Sequence, residues 1–362
     1  MAYPTAAIVA LSTFFAVQPS HLDAGELRLL RRIGRPITDR DRSDPGSVLH
    51  ASWPGENFVV VGMGDGSIAK FSVADGTTVW RIRNVGKLDD WSFSKHTNRL
   101  AYRDEGRVFV LDCKSGKVLF KADSAGLARI IGKKTITPSR IAISPRDGRL
   151  LVCDASYSFG RNGYVLDSHY AKCISTFCVD AYPWHVSLSQ RGDYAAIVAK
   201  GVLNVRAVYR NCDVFFRGRR IFERAITKVH RDGLTVVGPF DVDIDSASFS
   251  HIQYDGARTI VYSVDGGWSN GEIVVYDRCS RKSTKFDGHN VHVEVDVDFR
   301  KRRIAITGTS RDLSVFDFNG KELARKKGVA ADRILCISFS PSGKRVVVGS
   351  WDNTLSVFSV PK

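Results

Sequence analysis

Short apolar runs separated by polar turns recur along the chain from about residue 25 to its end. Within them, apolar and polar or small residues alternate, as in Ile68-Ala69-Lys70-Phe71 and Leu313-Ser314-Val315-Phe316. A period of two sends successive side chains to opposite faces, so these runs predict β-strands rather than helices. Gly, Asp, Asn and Ser-Pro pairs such as Ser340-Pro341 and Ser144-Pro145 punctuate them and supply the turns. The expected chain is therefore all-β, with many short strands.

The strands repeat. Phe58–Val73 reads FVVVGMGDGSIAKFSV and Arg345–Val360 reads RVVVGSWDNTLSVFSV, with eight of sixteen positions identical. Weaker copies are Arg99–Asp112, Gly271–Asp277 and Arg303–Asp317. Each is a strand, or part of one, beside a turn carrying Asp or Gly. Trp53, Phe93, Ile143, Leu188, Ile252, Phe299 and Phe339 anchor seven units, spaced by 40, 50, 45, 64, 47 and 40 residues. A period near 40–45 with four short strands per unit predicts a seven-bladed β-propeller. The last unit ends after its third strand. Gly25–Ile33 (GELRLLRRI) has the look of the missing outer strand and is expected to close the ring, which removes sheet edges exposed to aggregation. Residues 1–24 then form an N-terminal extension and 25–362 a single propeller domain. Ser156–Gly163 and roughly 217–246 are expected as insertions on its faces or rim, where loops carry recognition.

These units resemble the WD40 repeat family. Gly288-His289 followed by Phe316-Asp317 is similar to its Gly-His to Trp-Asp unit, with Phe in place of Trp, and Gly349–Phe358 resembles its strand–turn–strand signature. Most units lack both signatures, which leaves neighbouring families such as quinoprotein-like propellers open. The resemblance implies structural turn roles for Asp65, Asp352 and His289.

Composition adds a charge bias. Lys and Arg total 53 against 38 Asp and Glu, a net charge of +15, which favours acidic partners such as nucleic acid, an anionic surface or an acidic protein. The densest basic cluster is Arg217, Arg219, Arg220, Arg224, Lys228 and Arg231, and it matches no nucleic-acid motif. The seven cysteines are odd in number and lack a C-x-x-C pair, which argues against a disulfide framework or zinc site and for a reduced, cytoplasmic protein. Ala6–Val17 is an apolar run of 12, too short to span a bilayer. It reads as a strand or packed extension, with an exported or membrane-associated protein as the alternative.

No phosphate-binding loop and no H-E-x-x-H occurs. Asp241, Asp243 and Asp245 form a D-x-D-x-D string without the Gly and Glu of a calcium loop. Alternation would place His292, Glu294 and Asp296 on one strand face as a candidate metal cluster, and Asp241, Asp243, Asp245 and His292 are the candidates for an enzymatic site in a central channel. No metal or cofactor is expected otherwise. What remains is surface. The resemblance implies one face built from turns between second and third strands and from connections between blades. Arg103, Tyr157, Arg161, Trp184, Trp268, Arg311, Arg333 and Trp351 are its candidate partner-binding residues, because Arg, Tyr and Trp dominate binding hot spots. The expected function is a non-catalytic scaffold for a protein or peptide partner, monomeric on its own or part of a larger complex. The alternatives are a basic propeller binding nucleic acid or an anionic surface, and a propeller enzyme.

Overall fold

The structure, a computed structural model, describes residues 25–34, 46–155, 161–179, 183–188, 194–199, 202–207, 248–254, 259–265, 271–277, 279–280, 282–288, 294–307 and 310–361. After β1 (Gly25–Glu26) and β2 (Arg28–Ile33), the first sheet comprises β3 (Val48–Gly55), β4 (Phe58–Met63), β5 (Ile68–Ser72) and β6 (Thr78–Ile82). The second comprises β7 (Asp90–Ser94), β8 (Arg99–Asp104), β9 (Arg107–Asp112) and β10 (Val118–Ala122), and is followed by a helix, α1 (Ser124–Ile131). The third is β11 (Pro138–Ile143), β12 (Leu150–Asp154), β13 (Arg161–Leu166) and β14 (Cys173–Val179). The fourth shows β15 (Pro183–Leu188), β16 (Tyr194–Ala199) and β17 (Val202–Ala207). The fifth is β18 (Ser248–Tyr254), β19 (Thr259–Asp265), β20 (Glu272–Asp277) and β21 (Lys282–Asp287). β22 (Glu294–Asp298), β23 (Arg303–Thr307), β24 (Leu313–Asp317) and β25 (Glu322–Lys326) make the sixth, and β26 (Ile334–Phe339), β27 (Arg345–Ser350) and β28 (Leu355–Ser359) the seventh. Within each sheet these strands pair antiparallel in chain order.

The core lies between neighbouring sheets. Val60 and Ile68 of the first sheet pack with Leu100 and Leu111 of the second, and Ala101 and Val110 pack with Ile141 and Leu150 of the third. Val59 and Val61 of the first sheet share a cluster with Val347 and Val357 of the seventh, so the last sheet packs on the first. The middle two strands of a sheet bury both faces, which explains near-continuous runs such as VVV at 59–61 and 346–348.

Register corrects two of the sequence anchors. Phe93 faces Leu100, Ile143 faces Leu150, Leu188 faces Ala195 and Phe339 faces Val346. The matching partners of Ile260 and Ile304 are Tyr254 and Val297, not Ile252 and Phe299. Phe299 lies one residue past β22 and packs edge-on against Phe318 at 6.1 Å. The residues before Phe93, Tyr254 and Val297 join one sheet to the next. Ser92 Oγ accepts from the Ile143 amide (2.9 Å), Gln253 Oε1 from that of Val297 (3.1 Å) and Asp296 Oδ2 from that of Phe339 (2.5 Å). A first strand has one free ladder edge, and these side chains satisfy its amides across the seam between sheets.

The N-terminal segment spans two sheets. β2 pairs antiparallel with β28, from Arg28↔Ser359 to Ile33↔Leu355, and supplies the seventh sheet's fourth strand. β1 pairs in parallel with β25 and adds a fifth strand to the sixth sheet, a pairing absent from the sequence expectation. Between them Leu27 is fully buried among Ala305, Val315, Ala324 and Phe358. α1 is also unforeseen. Asp123 caps it by accepting from Gly126 N (2.7 Å), Gly132 ends it at φ 76°, and Leu127 and Ala128 are buried in the wedge between the second and third sheets.

Candidate partner-binding face

Turns from second to third strands and the connections entering first strands meet on one face, called here the loop face. Aspartates at or just past the ends of second strands knit it together. Asp352 Oδ2 accepts from Ala331 N (2.6 Å), while its Oδ1 accepts from Thr354 N (2.9 Å) and Thr354 Oγ1 (2.5 Å); its side chain is buried. Asp104 Oδ1 accepts from Lys87 N and Asp154 Oδ1 from Thr137 N, both at 2.9 Å. In all three the carboxylate grips the connection entering its own sheet. Asp65 differs: it accepts from Ser67 N (2.9 Å) and pairs with Arg81 (2.5 Å). The sequence reading missed Asp104 and Asp154, although each is the last residue of a second-strand run, RLAYRD and LLVCD.

Arg311, Arg333 and Trp351 come together across the seam between the sixth and seventh sheets. Arg311, in the sixth sheet's turn at φ 61°, donates from Nη1 to Ala331 O (2.9 Å) and accepts at its carbonyl from Val329 N (2.9 Å). Ala331 is the residue whose amide Asp352 holds. Arg333 O accepts from Trp351 N (2.9 Å) and Ser350 Oγ (3.0 Å). Trp351 is 40% exposed, the only aromatic among the large exposed hydrophobics of the described residues. Trp53, by contrast, is 1% exposed and donates to Ser338 O across the seam between the seventh and first sheets.

The other candidates are not gathered there. Arg103 lies within β8, not in a turn; it is largely buried and pairs with Asp89 at 3.2 Å. Arg161 opens β13 opposite Val179, so residues 161–163 of the enlarged turn expected over 156–163 are strand. Trp184 lies within β15, at a register shift between Pro183 and His185. Tyr157, Trp268 and His289 lie outside the described residues, as do the basic cluster at 217–231, Asp241, Asp243, Asp245 and His292.

Candidate channel chemistry is occupied by structure. Asp296 accepts from Gln253 Nε2 (2.8 Å) at Oδ1 and from Phe339 N at Oδ2, so both oxygens serve the joint between sheets. Glu294 is buried enough to raise its carboxyl to about 7, with the Arg333 guanidinium opposing the shift. His50 stacks on Trp91 at 5.4 Å, with Nε2 3.3 Å from Leu88 O, and burial lowers its pKa to about 4. Among the described residues no group of three or more His, Cys, Asp or Glu is arranged to hold a metal. Burial raises the thiols of Cys113, Cys153 and Cys336, which packs them as inert apolar groups rather than nucleophiles.

A shallow cavity of about 740 Å³ lies in the wedge beside α1, lined by Arg107, Lys121, Arg129, Asp123 and Ile130 among others. Arg107 is paired with buried Asp104, and the Asp123 carboxylate sits on the helix N-terminus. No residue of this cavity was singled out from sequence, because α1 was not expected.

The model of the WD domain, G-beta repeat, matches residues 321–359. That unit runs from β25 of the sixth sheet through all three strands β26–β28 of the seventh. Among solved structures, the crystal structure of the WD40 β-propeller domain of Doa1 superposes with a TM-score of 0.64 at 14% identity, covering 94% of this chain and 98% of that one. No curated protein matches the sequence. Solved chains of similar structure number 1626, so the architecture alone selects no function. With strands arranged as in that neighbour and one unit carrying the repeat's own signature, the chain is WD40-like, an all-β propeller protein.

Proposed function

We propose that residues 25–362 form one seven-bladed propeller, closed by β2, and that it serves as a non-catalytic scaffold holding a protein or peptide partner on its loop face. Closure is supported by the β2–β28 ladder and by the packing of the seventh sheet on the first. The observation that carries the binding role is Trp351: an exposed indole at the tip of a turn whose backbone is fixed by Asp352, Thr354 and Arg333. A rigid, exposed aromatic flanked by arginines combines large contact area with little ordering cost, the make-up of a binding hot spot. A non-enzymatic role is supported by the commitment of Asp296 and His50 to joints between sheets. A cytoplasmic location is proposed from the five described cysteines, all free. No helix of the described residues is long and apolar enough to cross a membrane. Capture of binding proteins with the intact chain and with Trp351→Ala tests the reading. The account expects partners retained by the parent and lost by the variant at unchanged melting temperature; identical partner sets would overturn it.

The net charge of +15 favours a second reading, binding to nucleic acid or another anionic surface. Counterion release makes such binding fall steeply with salt. Partner capture unchanged between low and physiological salt would count against it.

A further inference from the structure

We propose that the loop-face seam between the sixth and seventh sheets binds an extended acidic peptide, with Trp351 as its apolar contact and Arg311, Lys327 and Arg333 as its cations. The proposal rests on the loop-face reading above and narrows it to one seam and one partner class. Arg311 and Lys327 are exposed and Arg333 is half-buried. Arg333 Nε is buried without a hydrogen-bond partner.

The nearby carboxylates offset only part of the positive charge of this seam. Asp312 pairs with Arg325 at 2.8 Å, and its Oδ1 accepts from Gly328 N (3.2 Å). Asp352 is buried and bonded at both oxygens. Asp332 is exposed but turns its Oδ1 onto Arg333 N (2.6 Å). Burial raises the carboxyl of Glu294, which interacts with Arg333, to about 7, so it offsets Arg333 only in part at neutral pH. Four cations, Arg311, Arg325, Lys327 and Arg333, therefore stand against three aspartates, Asp312, Asp332 and Asp352, around an exposed indole. The Arg311 guanidinium is aimed by its bond to Ala331 O, which leaves its other N–H groups for a carboxylate. A peptide suits the site better than a duplex, because the cations flank one aromatic in a seam and do not track a phosphate backbone.

The wedge cavity beside α1 is the rival basic feature. There Arg107 is neutralised by Asp104 and the helix N-terminus by Asp123, so it serves as the control.

The test is a fluorescence-anisotropy titration of the full chain at low salt, where surface charge is least screened. The probes are a labelled decapeptide of alternating Glu and Leu, its Gln-for-Glu analogue, and a single-stranded oligonucleotide of matched charge. The expected result is acidic-peptide binding about tenfold tighter than that of the Gln analogue, a factor that several charge contacts supply. Lys327→Glu and Trp351→Ala should each weaken it about fivefold or more at unchanged melting temperature, and Lys121→Glu should not. Equal binding of the Gln analogue, tighter binding of the oligonucleotide, or insensitivity to Lys327→Glu overturns the acidic-peptide proposal. If Trp351→Ala still abolishes capture of natural partners, the loop-face reading survives that failure. If it leaves capture intact, both fall.

Discussion

Two tryptophans show how placement decides a residue's job. Trp53 is buried at the seam between the seventh and first sheets and donates to Ser338 O; Trp351 stands exposed on a turn. Trp53→Ala should cost about 3–5 kcal/mol in chemical denaturation, the range for a lost core aromatic. Trp351→Ala should shift the same curve by under about 0.5 kcal/mol, as surface changes do. Asp352→Ala should cost about 2–4 kcal/mol, since Ala331 N and both Thr354 donors lose a buried acceptor. Asp352 was legible because its turn matches that of Asp65 within a sixteen-residue repeat. Its closer functional counterparts, Asp104 and Asp154, were not, because a clamp on a connection 17 residues upstream leaves no local pattern. Arg311, Arg333 and Trp351 were legible only as residue types on expected turns and connections, and that they share one seam was not. Arg103 was misplaced for the same reason: type and approximate position do not reveal an ion pair with Asp89.

Among elements, β2 could be read from sequence because the last unit lacked a strand and GELRLLRRI had strand character. β1 could not, since a two-residue parallel pairing carries no periodicity. The consequence is that Leu27 pins both sheets. Leu27→Ala should cost about 3 kcal/mol, and hydrogen exchange should quicken in both β25 and β28. Faster exchange in β28 alone would mean that β1 contributes nothing. α1 escaped notice because eight residues span barely two turns, too few for a helical period to stand out from flanking strands. Its cap signal, Asp123 ahead of Gly126, is visible only in hindsight of the 50-residue spacing that it fills.

For the whole molecule, two half-buried groups give opposite pH dependences. Glu294 keeps its proton to about pH 7 when folded, whereas an exposed Glu releases it near 4.5. Between those values the folded state binds more protons, so Glu294 lowers stability as pH rises. His50 stays neutral to about pH 4 when folded, against 6.5 when exposed. There the unfolded state binds more protons, so His50 lowers stability as pH falls. Between about pH 4.5 and 6.5 the two slopes, each of order 1 kcal/mol per pH unit, oppose one another. Glu294→Gln should therefore expose a stability that falls on acidification through that window, where the parent is nearly flat. Parallel curves for the two proteins would contradict the desolvation of Glu294.

The central claim is that the loop face, and not the opposite face, holds the partner. Hydrogen exchange of the chain, free and in complex with a captured partner, reads this directly. The account predicts slowed exchange in residues 310–312, 327–333 and 351–354, with no change in the opposite turns at 113–117, 318–321 and 341–344. Protection confined to those opposite turns, with the loop face exchanging as in the free chain, would contradict it.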